Sequence, residues 1–538
     1  MARILLGLLA NLFLLTSFNA FAQPGGRSAP MVMAGNKIAD GGSYATLVEL
    51  KHQPNPADNG RLILAYANQS AGIPIWESRD RGATWQLVTT VHDLSESDRA
   101  NCDIRTQPHI TEMPRSQHGI AAGTILLSAS SSCQVPTSAP NGGARNMHLR
   151  LFGSTDLGKS WNYVSTFADA VAGMPVWEPF LLILDDGTFI EYFSDETHKA
   201  INYNQMLGHK ISRDGGKTWG TEIFDVAIAD GIDRPGMVLI DRVPQKGFVY
   251  VYEDVSGPVQ NQLYIKFSKD GMNWGKIADR GIPLKTDSGQ FPMYTPSINW
   301  FPLGGPKGVL VATSRDVGGP IPDPAANVIF WNNNMGQGPW WQAPSPVQKL
   351  PGQRSGYTQA MLHLGGGRIL HVSSSTAPGP DGQPGDPAKT VMLSNIAVPN
   401  FNRYEAENAR QQGSALMRDA SMSNGAKSRL GAAGHGKLSF RIHVTKAGRY
   451  RLTLDYSNLG YTAEPRLSAN GKAVTGIVQA LPLDTTKEAL RTRDLGTRGD
   501  GVHYAFTATA ALKAGGNLIQ VRGGAHGLDV DFLEVTAR

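Results

Sequence analysis

The chain has 538 residues, with 61 glycines, 33 prolines and a net charge of +5. This length allows two or three domains, and the glycine and proline content is typical of an all-β protein with many turns. Charged residues make up 18% of the chain, and no basic segment is interleaved with aromatic residues, so the composition excludes a nucleic-acid-binding protein.

The first residues have the pattern of a secretory signal peptide. Arg3 precedes an apolar run over residues 4–15, and Ala20, Phe21 and Ala22 form the small-residue cleavage site before Gln23. The apolar run is too short to span a bilayer. We therefore predict that residues 1–22 are a signal peptide, and that the mature protein is secreted or periplasmic without a membrane partner.

The chain has two cysteines, Cys102 and Cys133. In an oxidising compartment they can form a disulfide or remain as two thiols. The sequence leaves both alternatives open.

A short pattern recurs along the first two-thirds of the chain. Its clearest copy is SRDGGKTW at residues 212–219, near copies start at Ser78, Ser154 and Ser268, and a degenerate fifth copy covers residues 332–340. In each copy, Ser and Asp side chains can hydrogen-bond the backbone of a tight turn, Gly can adopt a left-handed conformation, and Trp can pack between neighbouring units. The copies are 56 to 76 residues apart, a spacing that predicts four-stranded propeller blades.

A second count, based on apolar strands, gives the number of blades. Six candidate innermost strands are each followed by a turn and a second apolar strand. They begin at Tyr44, His109, Glu178, Arg234, Tyr294 and Tyr357. We therefore predict an all-β fold, with a six-bladed β-propeller over residues 30–400 followed by a β-sandwich (jelly-roll) module over residues 403–538. The recurring pattern resembles the Asp-box of sialidase-like β-propellers.

Two carboxylates lie where adjacent blades are expected to converge. Glu178 stands in VWEPFL at the start of the third innermost strand, and Glu253 stands in VYED at the end of the second strand of the fourth blade. Glycoside cleavage needs one carboxyl that donates a proton to the leaving oxygen and one carboxylate that attacks or activates water. The aromatic setting of Glu178 is expected to raise its pKa, which suits the acid role. A surface position at a strand end is the alternative for each residue.

The run VWEPFL, followed 75 residues later by VYED, resembles glycoside hydrolase family 93. Members of this family are six-bladed propellers that act as exo-α-1,5-L-arabinanases and release arabinobiose with retention of configuration. The resemblance covers residues 30–400. It implies that Glu178 is the general acid/base and Glu253 the nucleophile, that plant cell-wall arabinan is the substrate, and that catalysis needs no cofactor.

The strand count also places candidate substrate-binding residues at the same face. Tyrosines there can stack on a furanose or contact its hydroxyl groups, and Arg234 can orient the substrate or the nucleophile. Each residue can equally belong to the core or rim of the propeller. The predicted set is Tyr44, Asn68, Gln107, Arg234, Tyr294, Asp316 and Tyr357.

Two other functions fit the same fold. An exo-sialidase binds the sugar carboxylate through an arginine cluster, for which Arg105, Arg234, Arg315 and Arg354 are candidates. The arginine expected in the first blade is missing, because residues 31–44 contain none. The second alternative is a propeller that binds a glycan or a protein without catalysis, for which Glu178→Gln would cause no loss of function.

The last part of the chain begins with YEAE at residues 404–407 and ends with VDFLE at residues 530–534. These segments resemble carbohydrate-binding modules of families 6 and 35, whose first and last strands meet around calcium. The resemblance implies a structural Ca²⁺ held by Glu405, Glu407 and Asp531, and oxygen-rich carboxylates suit this cation. The alternative is that the acids only flank paired strands. A module of this kind raises the local concentration of a polysaccharide partner, and we expect the protein to be a monomer.

Overall fold

The computed structural model describes residues 35–538, except residues 69–71, 96–101, 134–145, 172–173, 350–352, 377–389, 420, 433, 458–464, 482–502 and 525. The predicted signal peptide therefore lies outside the described residues. Within the part of the chain that is described, no helix is long and apolar enough to cross a membrane.

The described residues of the first part of the chain form β-strands and two single-turn 3-10 helices, Pro56–Asp58 and Lys199–Ile201. In chain order, the strands are β1 (Asn36–Asp40), β2 (Ser43–Glu49), β3 (Leu62–Ala67), β4 (Ile73–Ser78), β5 (Gln86–Val91), β6 (Cys102–Glu112), β7 (Ile125–Cys133), β8 (Asn146–Ser154), β9 (Asn162–Asp169), β10 (Val176–Ile183), β11 (Phe189–Asp195), β12 (Met206–Ser212), β13 (Ile223–Val226), β14 (Pro235–Val243), β15 (Gly247–Asp254), β16 (Gln262–Ser268), β17 (Ile282–Pro283), β18 (Phe291–Met293), β19 (Ser297–Phe301), β20 (Val309–Thr313), β21 (Asp316–Gly318), β22 (Val328–Asn332), β23 (Trp341–Pro344), β24 (Ala360–Gly365), β25 (Arg368–Thr376) and β26 (Thr390–Ala397).

These strands form six antiparallel sheets, as the strand count predicted. Five are four-stranded: β2 to β5, β6 to β9, β10 to β13, β19-β20-β22-β23, and β24-β25-β26-β1. The fourth sheet along the chain contains β14, β15, β16, β18 and β21, with β17 paired to β16. Strand β1 pairs with β26, so hydrogen bonds join the two ends of this part of the chain. The predicted all-β fold is confirmed.

The innermost strands of the first four sheets share a bulge near their starts. The register shifts between Ser43 and Thr46 in the first sheet, and similar shifts occur in the next three. At each bulge, one residue other than glycine has a positive φ between 55° and 60°. Such conformations are costly for side chains with a Cβ, and they cluster at functional sites. The four residues are Tyr44, Gln107, Glu178 and Met237.

The recurring segments form the tight turns that join the third and fourth strands of a sheet. In the copy at residues 212–219, the N–H of Gly216 donates to Ser212 Oγ at 2.8 Å, and Asp214 Oδ1 accepts the N–H of Thr218 at 3.0 Å. The corresponding Ser and Asp bonds form in the copies that start at Ser78, Ser154 and Ser268. In the fifth copy, Asn332 takes the place of Ser, because its Oδ1 accepts the N–H of Gly336 at 3.0 Å.

The last part of the chain forms two antiparallel sheets and two single-turn 3-10 helices, Ala406–Asn408 and Ser423–Gly425. One sheet has the order β29-β30-β38-β32-β36-β35 with β27 paired to β38, and the other has the order β28-β31-β37-β33-β34. Their strands are β27 (Arg403–Glu405), β28 (Arg410–Gln412), β29 (Ser414–Arg418), β30 (Ala426–Leu430), β31 (Lys437–Val444), β32 (Gly448–Ser457), β33 (Arg466–Ala469), β34 (Lys472–Val474), β35 (Gly476–Ala480), β36 (His503–Leu512), β37 (Gly515–Arg522) and β38 (Leu528–Ala537).

The sandwich and the fifth propeller sheet share one hydrophobic core. Trp331 and Trp341 of that sheet pack against Tyr404, with ring centroids 5.4 and 4.9 Å apart, and Trp341 stacks on Phe440. Polar contacts surround this core, including a hydrogen bond of 2.7 Å from the N–H of Gln342 to Asn408 Oδ1. The sandwich is therefore packed against the propeller.

The structure also decides between a disulfide and a free thiol for Cys102. Cys102 pairs in register with Cys133 across β6 and β7, and Cys102 is disulfide-bonded. The disulfide lies at the first residue of β6, the strand that also contains Gln107.

Candidate active site

A cavity of about 370 Å³ lies where the starts of the innermost strands converge. Strands β2, β6, β10 and β14 all contribute to it, together with the residues that precede β24. The positive-φ residues of the four bulges line it, with Thr358 from the sixth sheet. The strand count had placed the functional face here.

Glu178 is held in this cavity by donors from three sheets. Ser194 Oγ and the N–H of Met237 both donate to Glu178 Oε2, at 2.7 and 2.8 Å. Gln107 Nε2 lies 3.5 Å from the other carboxylate oxygen. A Cβ on Gly236 would lie 2.7 Å from Gln205 Nε2 and in ordinary contact, at 3.4 Å, with Glu178 Oε2. Burial raises the pKa of Glu178, and the donors oppose this rise because they favour the ionised form.

Glu253 occupies the end of β15 and is 6% exposed. Its Oε2 accepts the N–H of Thr295 at 2.7 Å. Burial and then the negative charge of Glu178 raise the pKa of Glu253 to about 8, while Arg234 and Arg315 oppose the rise. The two carboxyl groups therefore interact, as expected for a pair that works on one bond.

The two carboxyls have different hydrogen-bond environments. Burial raises the pKa of both, and Glu178 accepts hydrogen bonds from Ser194 and the Met237 N–H, whereas Glu253 accepts one from the Thr295 N–H. A carboxylate suits the nucleophile and a protonated carboxyl suits the acid. The hydrogen bonds favour Glu178 as the carboxylate, the reverse of the roles that the family resemblance implies; since the pKa of both carboxyls is raised, both assignments stay predictions.

Aromatic side chains and an arginine form one side of the cavity entrance. The rings of Tyr44 and Tyr357 stack with centroids 5.0 Å apart and an interplanar angle of 7°. The Arg315 guanidinium lies 4.8 Å from the ring centroid of Tyr357 and 5.7 Å from that of Tyr294. Tyr357 is 41% exposed, so part of this surface remains available to a ligand.

Arg234 lies near both carboxylates but is bound elsewhere. Its guanidinium donates to Glu196 Oε1 at 2.8 Å, and Trp177 Nε1 donates to the same oxygen at 3.0 Å. The side chain of Lys199 donates to Glu196 Oε2 at 2.6 Å. Glu196 therefore holds Arg234 in place beside the carboxylates.

Asn68 and Asp316 were also predicted to bind substrate. Asn68 follows β3, and a Cβ on Gly41 would lie 3.5 Å from its Oδ1. Asp316 begins β21; burial raises its pKa, and the neighbouring Arg315 opposes the rise. Their part in binding stays a prediction.

Sequence reasoning missed several groups that hold the pair. One signal was available for Ser194: β11 and β15 are equivalent strands, and Ser194 occupies in β11 the position that Glu253 occupies in β15. The N–H groups of Met237 and Thr295 carry no side-chain signal. The sequence also contains no signal for Glu196, because this residue lies beyond the end of β11.

The acids predicted to hold calcium meet in the sandwich. Ser423 donates through its hydroxyl to Glu405 Oε2 at 2.5 Å and through its N–H to Asp531 Oδ1 at 2.9 Å. Asn424 donates to Glu407 Oε1 at 2.6 Å, while Glu407 Oε2 is buried without a partner among the described residues. Burial raises the pKa of all three acids, that of Glu405 to about 7. This donor set fits a hard cation.

No protein-family model and no curated protein matches the chain. Among solved structures, the chain is similar to the GH93 α-L-arabinofuranosidase of Fusarium graminearum in complex with arabinobiose, with a TM-score of 0.55 and 24% identity over 68% of this chain and 98% of that chain. It is also similar to the α-L-arabinanase of Penicillium chrysogenum complexed with arabinobiose, with a TM-score of 0.53 and 27% identity over 67% of this chain and 97% of that chain. These similarities confirm the resemblance to glycoside hydrolase family 93 for about two-thirds of the chain.

Proposed function

We propose that the protein is a glycoside hydrolase that cleaves α-1,5-linked L-arabinan from a chain end and releases arabinobiose with retention. The observation that carries this proposal is a pair of interacting, buried carboxyl groups: Glu178 lines a cavity together with Tyr44, which stacks on Tyr357, and Glu253 is near enough for the charge of Glu178 to raise its pKa. Both similar structures contain arabinobiose, which supports this substrate class.

Retention requires two displacements at the anomeric carbon. In the first, Glu178 attacks as a carboxylate and Glu253 donates its proton to the leaving oxygen. In the second, Glu253 takes a proton from water, and the water oxygen displaces Glu178. Ser194 and the Met237 N–H hold one oxygen of Glu178, which leaves the other to form the covalent bond. Atoms and protons balance over the two steps, so no cofactor is required.

The predicted substrate-binding residues have distinct parts in this proposal. Tyr44, Tyr357 and Tyr294 form a wall against which the furanose packs, and Arg234 holds its charge near the carboxylates. Asn68, Gln107 and Asp316 supply polar groups around the cavity. The arrangement disfavours the sialidase alternative, since Arg234 pairs with Glu196 and Arg315 lies over tyrosine rings.

Product analysis tests the proposed activity. The purified mature protein should release arabinobiose from linear arabinan, and no sialic acid from sialyl-lactose. Nuclear magnetic resonance of the first product should show the α-anomer before mutarotation, as retention requires. The β-anomer would contradict the two-step mechanism, and an absence of product from any glycan would favour a propeller that only binds.

The pH dependence of kcat/KM reports on the free pair. Because Glu253 must be protonated, kcat/KM should fall as the pH rises above about 8. Arg315 lowers the pKa of Glu253, so Arg315→Gln should move this basic limb to higher pH. Arg79→Gln, at an exposed arginine paired with Glu77, is the matched control. A basic limb that stays in place in Arg315→Gln would contradict the assignment of this limb to Glu253.

The remaining expectations are proposals about the rest of the chain. Secretion or export to the periplasm would follow from removal of residues 1–22. The sandwich would bind the same polysaccharide and hold a structural Ca²⁺ through Glu405, Glu407 and Asp531. The protein would act as a monomer.

A further inference from the structure

A second cluster of metal-ligating side chains lies behind the candidate active site, in the third propeller sheet. It consists of Asp195 at the end of β11, His198 just beyond it, and Glu222 just before β13. One ligand atom from each of the three lies within 4.8 Å of the others. Two carboxylates and one imidazole form a donor set typical of Zn²⁺ and similar transition metals.

The side chains of the cluster are oriented by their neighbours. The N–H of Thr197 donates to Asp195 Oδ1 at 2.6 Å, and His198 Nδ1 lies 3.2 Å from Asp195 Oδ2. The His198 ring packs edge-on against Phe224, with centroids 5.1 Å apart.

Glu222 is the member that the protein alone leaves unsatisfied. Its Oε1 is buried and has no hydrogen-bond partner among the described residues. Position 208 on the adjacent strand is a glycine, and a Cβ there would lie 2.7 Å from this oxygen, so the absence of a side chain makes room for the carboxylate. Burial, the charge of Asp195 and a side-chain hydrogen bond with Asp195 raise the pKa of Glu222 to about 9, whereas Lys210 opposes the rise.

The position of the cluster connects it to the catalytic pair. Three consecutive residues at the end of β11 face different partners: Ser194 donates to Glu178, Asp195 belongs to the cluster, and Glu196 holds Arg234. A link between Asp195 and Glu222 would tie the end of β11 to the start of β13, since Glu222 immediately precedes that strand.

We propose that Asp195, His198 and Glu222 bind one divalent transition-metal cation of the Zn²⁺ class. The cation supplies the positive charge that two adjoining carboxylates lack, and it coordinates the buried oxygen of Glu222. Its three ligands are not among the residues that line the cavity, and we assign it a structural role. Its effect is to stabilise the third propeller sheet.

Metal content and thermal stability of the full mature chain test this site. The chain is stripped with a chelator and returned to a buffer with millimolar Ca²⁺, which keeps the acids of the sandwich supplied. It is then incubated with ZnCl₂ and separated from free metal by gel filtration. Wild type should retain one more Zn²⁺ than Glu222→Gln or His198→Gln. Zinc at about 100-fold its dissociation constant should raise the melting temperature of wild type by about 3 °C.

Two controls separate metal binding from a general loss of stability. His148→Gln removes a histidine that also pairs with an aspartate, Asp169, but has no third ligand in the described part of the chain, so this variant should bind zinc like wild type. Without zinc, Glu222→Gln should melt at about the wild-type temperature, because the amide has the shape of the carboxyl group and carries no charge beside Asp195. Equal zinc content and an equal melting shift in wild type, Glu222→Gln and His198→Gln would overturn the proposal.

Discussion

Replacement of Glu178 by alanine should lower kcat on linear arabino-oligosaccharides by a factor on the order of 10⁴. The carboxylate would be lost from a site where Ser194 and the Met237 N–H fix its position, and no other acid is held there by these donors. With an activated aryl arabinoside, added azide should enter the space left by the carboxylate and attack the anomeric carbon directly. One displacement inverts the configuration, so the product should be the β-arabinosyl azide.

Glu191→Gln is the matched control for this experiment. Glu191 is a fully buried acid on the same strand as Ser194, and its pKa is raised well above the ordinary value by burial, so the neutral amide mimics the acid. This variant should keep wild-type kcat. Formation of the α-azide by Glu178→Ala would show that Glu178 is the acid/base, as the family resemblance implies.

Replacement of Glu253 by alanine should have the second-largest effect, and this effect should depend on the leaving group. Hydrolysis of linear arabino-oligosaccharides should slow by about 10³- to 10⁴-fold, because their leaving oxygen needs a proton. An aryl arabinoside with an acidic leaving group should still form the covalent intermediate on Glu178. Azide should then attack that intermediate, and the two inversions should give the α-arabinosyl azide.

For Glu253→Ala, the aryl arabinoside is the control for the arabino-oligosaccharides, because both are measured with the same variant. If Glu253→Ala lost the same factor on both substrates and gave the β-azide, Glu253 would be the nucleophile. Circular dichroism of both variants should match that of wild type, since each substitution shortens one side chain and leaves the strand pairing unchanged.

The sequence predicted the scaffold well because the fold is repetitive. Two features with a blade-length period, the turn pattern and the apolar strand pairs, indicated six sheets, and the structure contains them. The same period placed Tyr44, Gln107 and Glu178 at one end of their sheets, where they line one cavity. A repeat fixes the position of equivalent residues without any knowledge of their contacts.

Roles within the site were less accessible from the sequence. The predicted rise in the pKa of Glu178 is confirmed in direction and comes from burial, while the indole N–H of its neighbour Trp177 donates to Glu196. The pKa of Glu178 depends as well on the N–H of Met237, which becomes available only because a bulge gives Met237 a φ of 58°. Residue types do not show which backbone N–H groups another blade contributes. The hydrogen bonds that influence the pKa values of the two carboxyls could therefore be identified only in the structure.

If the sandwich binds the same polysaccharide, as proposed, the core shared by Trp331, Trp341, Tyr404 and Phe440 determines which glycans can reach both parts of the chain. A carbohydrate-binding module on a flexible linker samples many separations from its catalytic partner, so it accepts glycans of many lengths. Here the packing sets one separation and one orientation between the sandwich and the cavity. A glycan held by both must have enough sugar units to span that interval. Shorter chains would engage the cavity alone, and the advantage of polymer over oligosaccharide should appear as a step at a defined chain length.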